Sequence, residues 1–262
     1  MTDEDRPRRP IEIALLPSGL ERPAVLSFLR EGAIEPIGRL VTASNVTLLC
    51  RMSLVGAGEG GEPLVGTAVY KPIRGEAPLW DFPDGTLAYR DVAAFAVSEA
   101  TGWDIVPPTI LRDGPYGEGM VQLWIDVDES VDVVDLVRHD DPCLRPLAVF
   151  DVIVNNADRK AGHLLRTASG HVHGVDHGVC FAVEPKLRTV LWGWMGDRLS
   201  RQELDVLRRL RRELDGALGQ TLRERLAPSE VAATMRRLDR LVEGGRFPSP
   251  DPGRPAIPWP WY

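Results

Sequence analysis

The order in which hydrophobic patterns change along this 262-residue sequence constrains its fold most. The first half has short runs of β-branched and apolar residues between glycine-containing turns, whereas apolar residues in the second half recur mainly at spacings of three and four. Short apolar runs are typical of strands, and the longer spacing is typical of helices. A β-rich half followed by an α-rich half predicts an α+β protein of two lobes, with its site in the cleft between them.

These patterns predict the individual elements. In the first half we expect five strands and one amphipathic helix, and in the second half an apolar helix, two short strands and a helical region capped by Ser200 and Ser229. The proline-dense end cannot lie inside a helix or a sheet, so we expect an extended tail. The predicted strands are 37–40, 46–54, 64–71, 105–111, 120–125, 162–166 and 173–176, the helices 87–101, 142–155 and 200–242, and the tail 246–262.

An acidic stretch at 126–141 resembles a connector between two lobes. We therefore divide the chain into an N-terminal β-rich lobe at 1–125, a C-terminal helical lobe at 126–244 and a proline-rich tail at 245–262. The tail could bind a protein partner as an extended segment or fold back on its own body.

Composition narrows the classes of function. The net charge is −7, which argues against a nucleic-acid-binding protein. Three widely spaced cysteines without a CxxC pair indicate free thiols rather than a disulfide framework. No apolar run is long enough to span a bilayer, and the first ten residues are charged and proline-rich. We expect a cytoplasmic protein with at most peripheral membrane contact.

Lysine is scarce, because only Lys71, Lys160 and Lys186 interrupt a chain that otherwise uses arginine. Lys71 ends an apolar strand, where a compact ammonium group can hold phosphate oxygens. A carboxylate on the helix at 87–101 would orient this lysine, and we favour Asp91 over Glu99. A solvated lysine at a strand end would have the same local sequence.

A second cluster of polar residues follows the apolar helix of the second half. Asp158 lies in the loop after this helix, His163 follows five residues later, and Asp176 precedes a glycine turn. Phosphoryl transfer needs a carboxylate near the acceptor hydroxyl, ligands for a divalent metal and a cation for the nucleotide phosphates. Together with Lys71, these residues predict a kinase-type site.

In four segments the sequence resembles the phosphatidylinositol 3-/4-kinase superfamily. It is most similar to the type II phosphatidylinositol 4-kinases and the bacterial HipA-like kinases, and its composition is similar to an uncharacterised actinobacterial branch. The resemblance implies a two-lobed protein-kinase-like fold, ATP, and Mg²⁺ or Mn²⁺. The segments are Ala68-Val-Tyr-Lys-Pro72, Met120-Val-Gln-Leu-Trp-Ile-Asp126, Asp151 to His163, and Val175-Asp-His-Gly178.

The resemblance also implies roles for single residues. Lys71 would contact the nucleotide phosphates, Asp158 would orient or deprotonate the acceptor hydroxyl, and Asp176 would bind metal. A hinge segment would hold adenine, and a turn before the second strand would cover the phosphates. The hinge residues are Gln122, Leu123, Trp124 and Ile125, and the turn residues are Ser44 and Asn45.

His163 stands where the superfamily has a metal-binding asparagine. An imidazole favours Mn²⁺ or Zn²⁺ over Mg²⁺ more than an amide oxygen does. His163 therefore implies either a changed metal preference or a weakened activity.

Two alternatives follow from the same region. A nucleotide-binding pseudokinase or scaffold would retain the fold without the chemistry. A zinc protein would use the histidines and the cysteine that fall close together in sequence, although their spacing matches no specific zinc motif. These residues are His163, His171, His173, His177 and Cys180. The acceptor stays open among an inositol lipid, a soluble polyol and a protein serine or threonine, as does transfer of phosphate or of AMP.

Overall fold

Five antiparallel strands form the larger sheet in the computed structural model, which describes residues 13–40 and 45–262. Their order across the sheet is β1-β2-β3-β5-β4. The central strand β3 is bordered by β2 and β5, and its register places Lys71 opposite Met120. The strands are β1 (Ala33–Arg39), β2 (Leu48–Leu54), β3 (Leu64–Pro72), β4 (Thr109–Gly114) and β5 (Gly117–Leu123).

Two helices pack against this sheet. Helix α1 (Arg22–Glu31) buries Val25, Phe28 and Leu29, and helix α2 (Leu87–Thr101) is buried around most of its surface. Sequence patterns did not predict α1, since its apolar stripe has only three buried positions and its first residue precedes a proline. The Glu76 carboxylate accepts hydrogen bonds from the backbone N–H groups of the first two residues of α2, which fixes where α2 begins.

Three strand predictions in the first half were displaced. The strand expected at 37–40 begins earlier, at Ala33, and ends at Arg39. The strand expected at 105–111 begins at Thr109 instead, because Pro107 and Pro108 have no N–H groups to donate to a ladder. The strand expected at 120–125 starts earlier, at Gly117, and ends at Leu123. Gly114 and Gly117 close a tight hairpin between β4 and β5, and Gly117 has a positive φ of 94° that a glycine adopts without strain.

The second half contains mostly helices and one small hairpin. Helix α4 (Arg145–Val154) follows a single 3₁₀ turn at Pro142–Leu144, and the Asp141 side chain caps this turn by accepting a hydrogen bond from the Cys143 N–H. A short helix α3 lies inside the acidic stretch that sequence patterns assigned to a connector. The elements are α3 (Val133–Arg138), α4 (Arg145–Val154), β6 (Leu164–Arg166), β7 (Val172–Gly174), α5 (Arg201–Glu213), α6 (Ala217–Arg223) and α7 (Pro228–Gly244).

The helical region predicted at 200–242 is divided into three helices. Ser200 caps α5 as predicted, because its hydroxyl accepts a hydrogen bond from the N–H of Glu203. Ser229 is not a cap. Helix α7 begins one residue earlier with Pro228, and Ala227 occupies the capping position.

Helix α2 belongs to both halves of the molecule. Its residues Ala93, Phe95 and Val97 pack in the same apolar core as α4, α5 and α7. Arg90 of α2 is buried, and it donates hydrogen bonds to the Cys180 carbonyl at 2.7 Å and to the Glu230 carboxylate at 2.8 Å. The predicted α+β arrangement of a β-rich lobe followed by a helical lobe is confirmed, and α2 joins the two lobes.

Candidate active site

Lys71 lies at the end of β3, where it faces carboxylates from two other elements. Its Nζ donates to Asp91 Oδ2 at 3.3 Å and to Asp176 Oδ1 at 2.8 Å. Burial alone would lower the pKa of this ammonium, but the two carboxylates outweigh burial and raise it above its ordinary value. Lys71 is therefore charged throughout the physiological range.

Asp91 is the α2 carboxylate that contacts Lys71, whereas Glu99 pairs with Arg22 instead. Besides Lys71, Asp91 accepts a hydrogen bond from the backbone N–H of His177 at 2.6 Å. Burial raises the pKa of the Asp91 carboxyl, although Lys71 opposes the shift. Asp91 thus links β3, α2 and the loop after β7.

Asp176 follows β7, and half of its side chain is open to solvent. Lys71 is the main cause of the lowered pKa of its carboxyl, and His163 contributes in the same direction. The backbone φ at Asp176 is 60°, in the left-handed region that side chains other than glycine rarely adopt. A strained backbone at a charged, accessible carboxylate is common at functional sites.

His163 lies across from Asp176, with 3.6 Å between His163 Nε2 and Asp176 Oδ2. Burial lowers the pKa of His163 to about 4, so its imidazole is neutral at pH 7. The structure therefore brings together the two residues predicted as metal ligands, and it places an uncharged nitrogen next to an ionised carboxylate.

Asp158 lies in the loop between α4 and β6, with three quarters of its side chain covered. Lys160 Nζ is 3.3 Å from Asp158 Oδ2, and Arg188 is 3.7 Å from the other oxygen. Burial raises the pKa of the Asp158 carboxyl, and these two cations oppose the shift. The second of the three lysines thus also pairs with a carboxylate of the candidate site.

The loop that carries Asp158 is held by a buried ion pair that sequence patterns did not single out. Arg159 donates to both oxygens of Asp151 at 2.9 to 3.2 Å, and both side chains are fully buried. Asn156 and Thr189 donate to the same carboxylate. The signal for this pair was a carboxylate inside the apolar helix α4, because a buried charge needs a partner.

Arg159 also connects this loop to the residues around Asp176. Its Nη1 donates to the Val175 carbonyl at 2.8 Å, and its Nη2 lies 2.6 Å from Nε2 of His177. His177 is fully buried, and burial, reinforced by Arg159, lowers the pKa of its imidazole well below the ordinary value. One guanidinium group thereby fixes the position of Asp158 relative to Asp176.

The predicted hinge residues lie at the end of β5 and just beyond it. Gln122 is buried, and its side-chain amide donates to Thr109 Oγ1 at 2.8 Å. The backbone N–H groups of Leu123 and Trp124 donate to carbonyls of Pro108 and Thr67. Two of the expected backbone donors are therefore engaged within the protein, and Ile125 follows them in the chain.

The turn predicted to cover the phosphates is described in part. Asn45 accepts a hydrogen bond from the N–H of Ala77 at 2.7 Å, and Ala77 follows the 3₁₀ turn Ile73–Gly75 after β3. Ser44 lies outside the described residues. Asn45 thus connects the start of β2 to the segment just beyond Lys71.

The histidines and the cysteine considered for a zinc site fall into separate groups. His163 and His177 lie at the candidate site, while His171 and His173 contact each other in the β6–β7 hairpin with ring centroids 4.5 Å apart. Cys180 is buried, and burial raises the pKa of its thiol well above the ordinary value. These five residues do not form the single zinc site that their proximity in sequence suggested.

The proline-rich tail folds back on the C-terminal lobe. The Ala256 carbonyl accepts hydrogen bonds from the Thr189 N–H and the Trp192 indole, and the Trp261 carbonyl accepts one from the Ala161 N–H at 2.9 Å. Ala161 lies between Asp158 and His163. The tail therefore contacts the same loop that carries Asp158.

No helix in residues 13–40 and 45–262 combines the length and apolar character that a membrane crossing requires.

Comparisons with known proteins found a relative by sequence and a similar fold among solved structures. No protein-family profile matches the chain. Protein Rv2133c of Mycobacterium tuberculosis is 43% identical over 271 residues, covering 90% of this chain and 95% of that protein. The crystal structure of a proinflammatory kinase, CtkA, from Helicobacter pylori superposes with a TM-score of 0.50 and 13% identity, covering 84% of this chain and 94% of the other. This likeness shows that the two lobes have a kinase-like fold.

Proposed function

This chain belongs to the same family as Protein Rv2133c, and from its kinase-like fold and polar cleft we propose that it is an ATP-dependent phosphotransferase. The observation that carries the proposal is the convergence of Lys71, Asp91 and Asp176 from three separate elements. A lysine with little exposed surface that two carboxylates hold is poorly explained as a solvated strand end. It is well explained as a phosphate-binding cation that its neighbours keep in position.

The nucleotide would lie between the sheet and the helical lobe. Its phosphates would reach Lys71, and its adenine would lie against the segment from Gln122 to Ile125. Because the N–H groups of Leu123 and Trp124 already bond to protein carbonyls, Ile125 is the residue that we expect to supply the backbone N–H for adenine. Asn45, and Ser44 before it, would lie on the phosphate side.

The donor set at the cleft fits a divalent cation. Asp176 offers a carboxylate that is half open to solvent, and His163 offers a neutral imidazole 3.6 Å away. A bound Mg²⁺ or Mn²⁺ would neutralise phosphate charge, and the imidazole favours Mn²⁺. When metal and polyphosphate bind, Lys71 and Asp176 would exchange each other for the phosphate and the metal, so that neither charge is left unpaired.

Asp158 would act on the acceptor. Its carboxylate would accept the proton of an acceptor hydroxyl while the hydroxyl oxygen bonds to the γ-phosphorus and the bond from that phosphorus to the β–γ bridging oxygen breaks, which releases ADP. Burial raises the pKa of the Asp158 carboxyl, and Lys160 and Arg188 oppose this rise. The resemblance to phosphatidylinositol kinases makes an inositol lipid, a soluble polyol or a protein hydroxyl the acceptors to examine.

The experiment is a transfer assay with two labels. Purified protein is incubated with Mg²⁺ or Mn²⁺ and with ATP labelled at either the α- or the γ-phosphate, in separate reactions containing inositol lipid vesicles, soluble polyols or cell extract. We expect γ-label in an acceptor. α-Label in the acceptor would indicate AMP transfer and contradict phosphoryl transfer.

The variant Asp158→Asn tests the assignment of Asp158. We expect turnover to fall at least about 100-fold while ATP affinity stays near the wild-type value, because general-base groups contribute about 10²- to 10⁴-fold to rate. Asp205→Asn, on the exposed face of α5, is the matched control and should keep full turnover. Unchanged turnover in Asp158→Asn would show that the loop is misassigned. ATP binding without any turnover in the wild-type protein would support the pseudokinase alternative.

A further inference from the structure

Three potential metal ligands meet at the contact between the β6–β7 hairpin and the loop after α2. Asp104, His171 and His173 each offer one ligand atom, and these atoms lie within 4.8 Å of one another. Asp104 lies in the loop after α2, and the two histidines lie in the β6–β7 hairpin. The cluster shares no residue with the set of Lys71, Asp158, His163 and Asp176 described above.

His171 makes a hydrogen bond of the kind that metal-binding histidines commonly make. Its Nε2 lies 2.8 Å from the backbone carbonyl of Asp104. Since a carbonyl oxygen only accepts hydrogen bonds, Nε2 carries the proton and the lone pair of a neutral ring is on Nδ1. Histidines that bind metals usually donate their second ring nitrogen to a carbonyl or a carboxylate in this way.

His173 provides the independent observation that points to a ligand. The residue is 8% exposed, and its Nδ1 is buried with no hydrogen-bond partner among the described residues. A buried polar atom without a partner is costly, and such an atom in a native protein calls for a water or an ion that satisfies it. The His171 ring contacts it in an edge-to-face arrangement, with 4.5 Å between the ring centroids.

Asp104 adds a carboxylate that is already supported. Its Oδ1 accepts a hydrogen bond from Arg22 of α1, which leaves Oδ2 for a cation. The backbone φ at Asp104 is 53°, in the left-handed region. This conformation brings the Asp104 carbonyl to His171 and its carboxylate to the same side of the hairpin.

We propose that Asp104, His171 and His173 bind one Zn²⁺ ion that ties the loop after α2 to the β6–β7 hairpin. Two imidazole nitrogens and one carboxylate oxygen are a donor set that zinc accepts, with water as a fourth ligand. Mg²⁺ is a poor candidate because it prefers oxygen ligands. Because the ligands come from these two segments and not from the candidate active site, the ion stabilises the contact between them rather than the transferred phosphate.

Metal stoichiometry tests this site. The full chain is loaded with Zn²⁺, dialysed, and analysed for bound zinc, and binding of Co²⁺ is followed through its visible absorption. Five variants are compared. Asp176→Asn and His163→Asn remove candidate ligands at the cleft, whereas His171→Ala and Asp104→Asn remove ligands of the proposed site. His139→Ala, at the exposed end of α3, is the matched histidine control.

We expect one equivalent of zinc in the wild type, in His139→Ala and in the two cleft variants. We expect at least about tenfold weaker binding in His171→Ala and Asp104→Asn, because loss of a residue that only supports a ligand already costs about 10- to 100-fold in affinity. Asp104 is partly exposed, so its variant should fold like the wild type even if His171→Ala does not. Zinc should raise the melting temperature of the wild type but not of Asp104→Asn.

Two results would overturn the proposal. Either the wild type retains no zinc after dialysis, or its zinc is lost in Asp176→Asn and kept in Asp104→Asn. Neither result measures transfer of the γ-phosphate, which the labelled-ATP assay tests separately, so failure of this site and failure of the proposed kinase activity are distinguishable.

Discussion

Two ion pairs near the cleft differ in how completely they are enclosed. Arg159 and Asp151 are fully buried, and every oxygen of the carboxylate is bonded within the protein. Lys71 and Asp176 are also in contact, but half of the Asp176 side chain is open to solvent. The same chemistry, a cation on a carboxylate, thus occurs in a closed and in an open form at the candidate active site.

This difference in enclosure distinguishes an ion pair with a structural role from one with a functional role. A closed pair cannot exchange partners without leaving a buried charge, so Arg159 and Asp151 hold the loop of Asp158 in one conformation. The open pair can exchange partners when a metal and a polyphosphate enter. In a kinase-like site, an ion pair whose hydrogen bonds are all made within the protein is therefore assigned a structural role, and one that is open to solvent is assigned a functional role.

Arg159→Met breaks the closed pair and should have the largest effect on stability. It leaves the Asp151 carboxylate buried without its cation, and we expect the free energy of unfolding to fall by about 3–5 kcal/mol. Urea unfolding followed by circular dichroism measures the loss. The double variant Asp151→Asn with Arg159→Met should recover part of it, since no buried carboxylate charge remains. A loss below about 1 kcal/mol in Arg159→Met would contradict the comparison.

Lowering the pH should destabilise the protein through two uncharged histidines, His163 beside the open pair and His177 beside the closed pair. The pKa of His163 is lowered to about 4 and that of His177 well below its ordinary value, both chiefly by burial. Between pH 6.5 and 4 the unfolded chain binds protons that the folded chain excludes, so the free energy of unfolding should fall as pH falls through this range. At pH 5 we expect a loss on the order of 1–2 kcal/mol from His163.

Urea unfolding at pH 7.5, 6 and 5 in the presence of EDTA measures this dependence. His163→Asn removes one of the titrating groups, so its unfolding free energy should depend less steeply on pH than that of the wild type. Equal slopes in the two proteins would show that the His163 imidazole is not kept neutral by the fold.

Asp176→Asn breaks the open pair and should have the smallest effect on stability. Half of the Asp176 side chain is open to solvent, and Lys71 keeps Asp91 as a partner, so we expect a change in unfolding free energy of at most about 1 kcal/mol. Turnover should nevertheless fall sharply, because an amide replaces the carboxylate proposed to bind the divalent cation. Urea unfolding and the transfer assay measure the two effects, with Asp205→Asn as the control. A loss of stability as large as that of Arg159→Met would place Asp176 in the scaffold.

The sequence predicted the order of the lobes and most helices and strands, because burial of one face imposes a visible spacing on residues such as those of α2 and β3. It also predicted that Lys71, Asp91 and Asp176 would act together, and the structure brings them into contact. These residues lie near the ends of strands and on a helix, where the spacing of apolar residues indicates which face each side chain occupies.

Contacts between distant segments were beyond sequence patterns. Sequence patterns did not distinguish Arg159 from the other arginines. Only the fold shows that it contacts Asp151, Val175 and His177 at the same time. Nothing in the sequence indicated that the Asp104 carbonyl would lie next to the His171 ring. Sequence patterns also assigned no contact to Lys186, whose ammonium group donates a hydrogen bond to the Asp81 carboxylate at 2.8 Å.

The buried bonds of Arg90 have a consequence for the exchange of parts between relatives. Arg90 lies on α2, and its partners, the Cys180 carbonyl and Glu230, lie on the opposite lobe. A chimera that takes the first lobe from one relative and the second from another keeps this contact only if both parents carry a matching pair. Recombination between family members should therefore succeed at surface loops and fail at the lobe boundary unless positions 90 and 230 are inherited together.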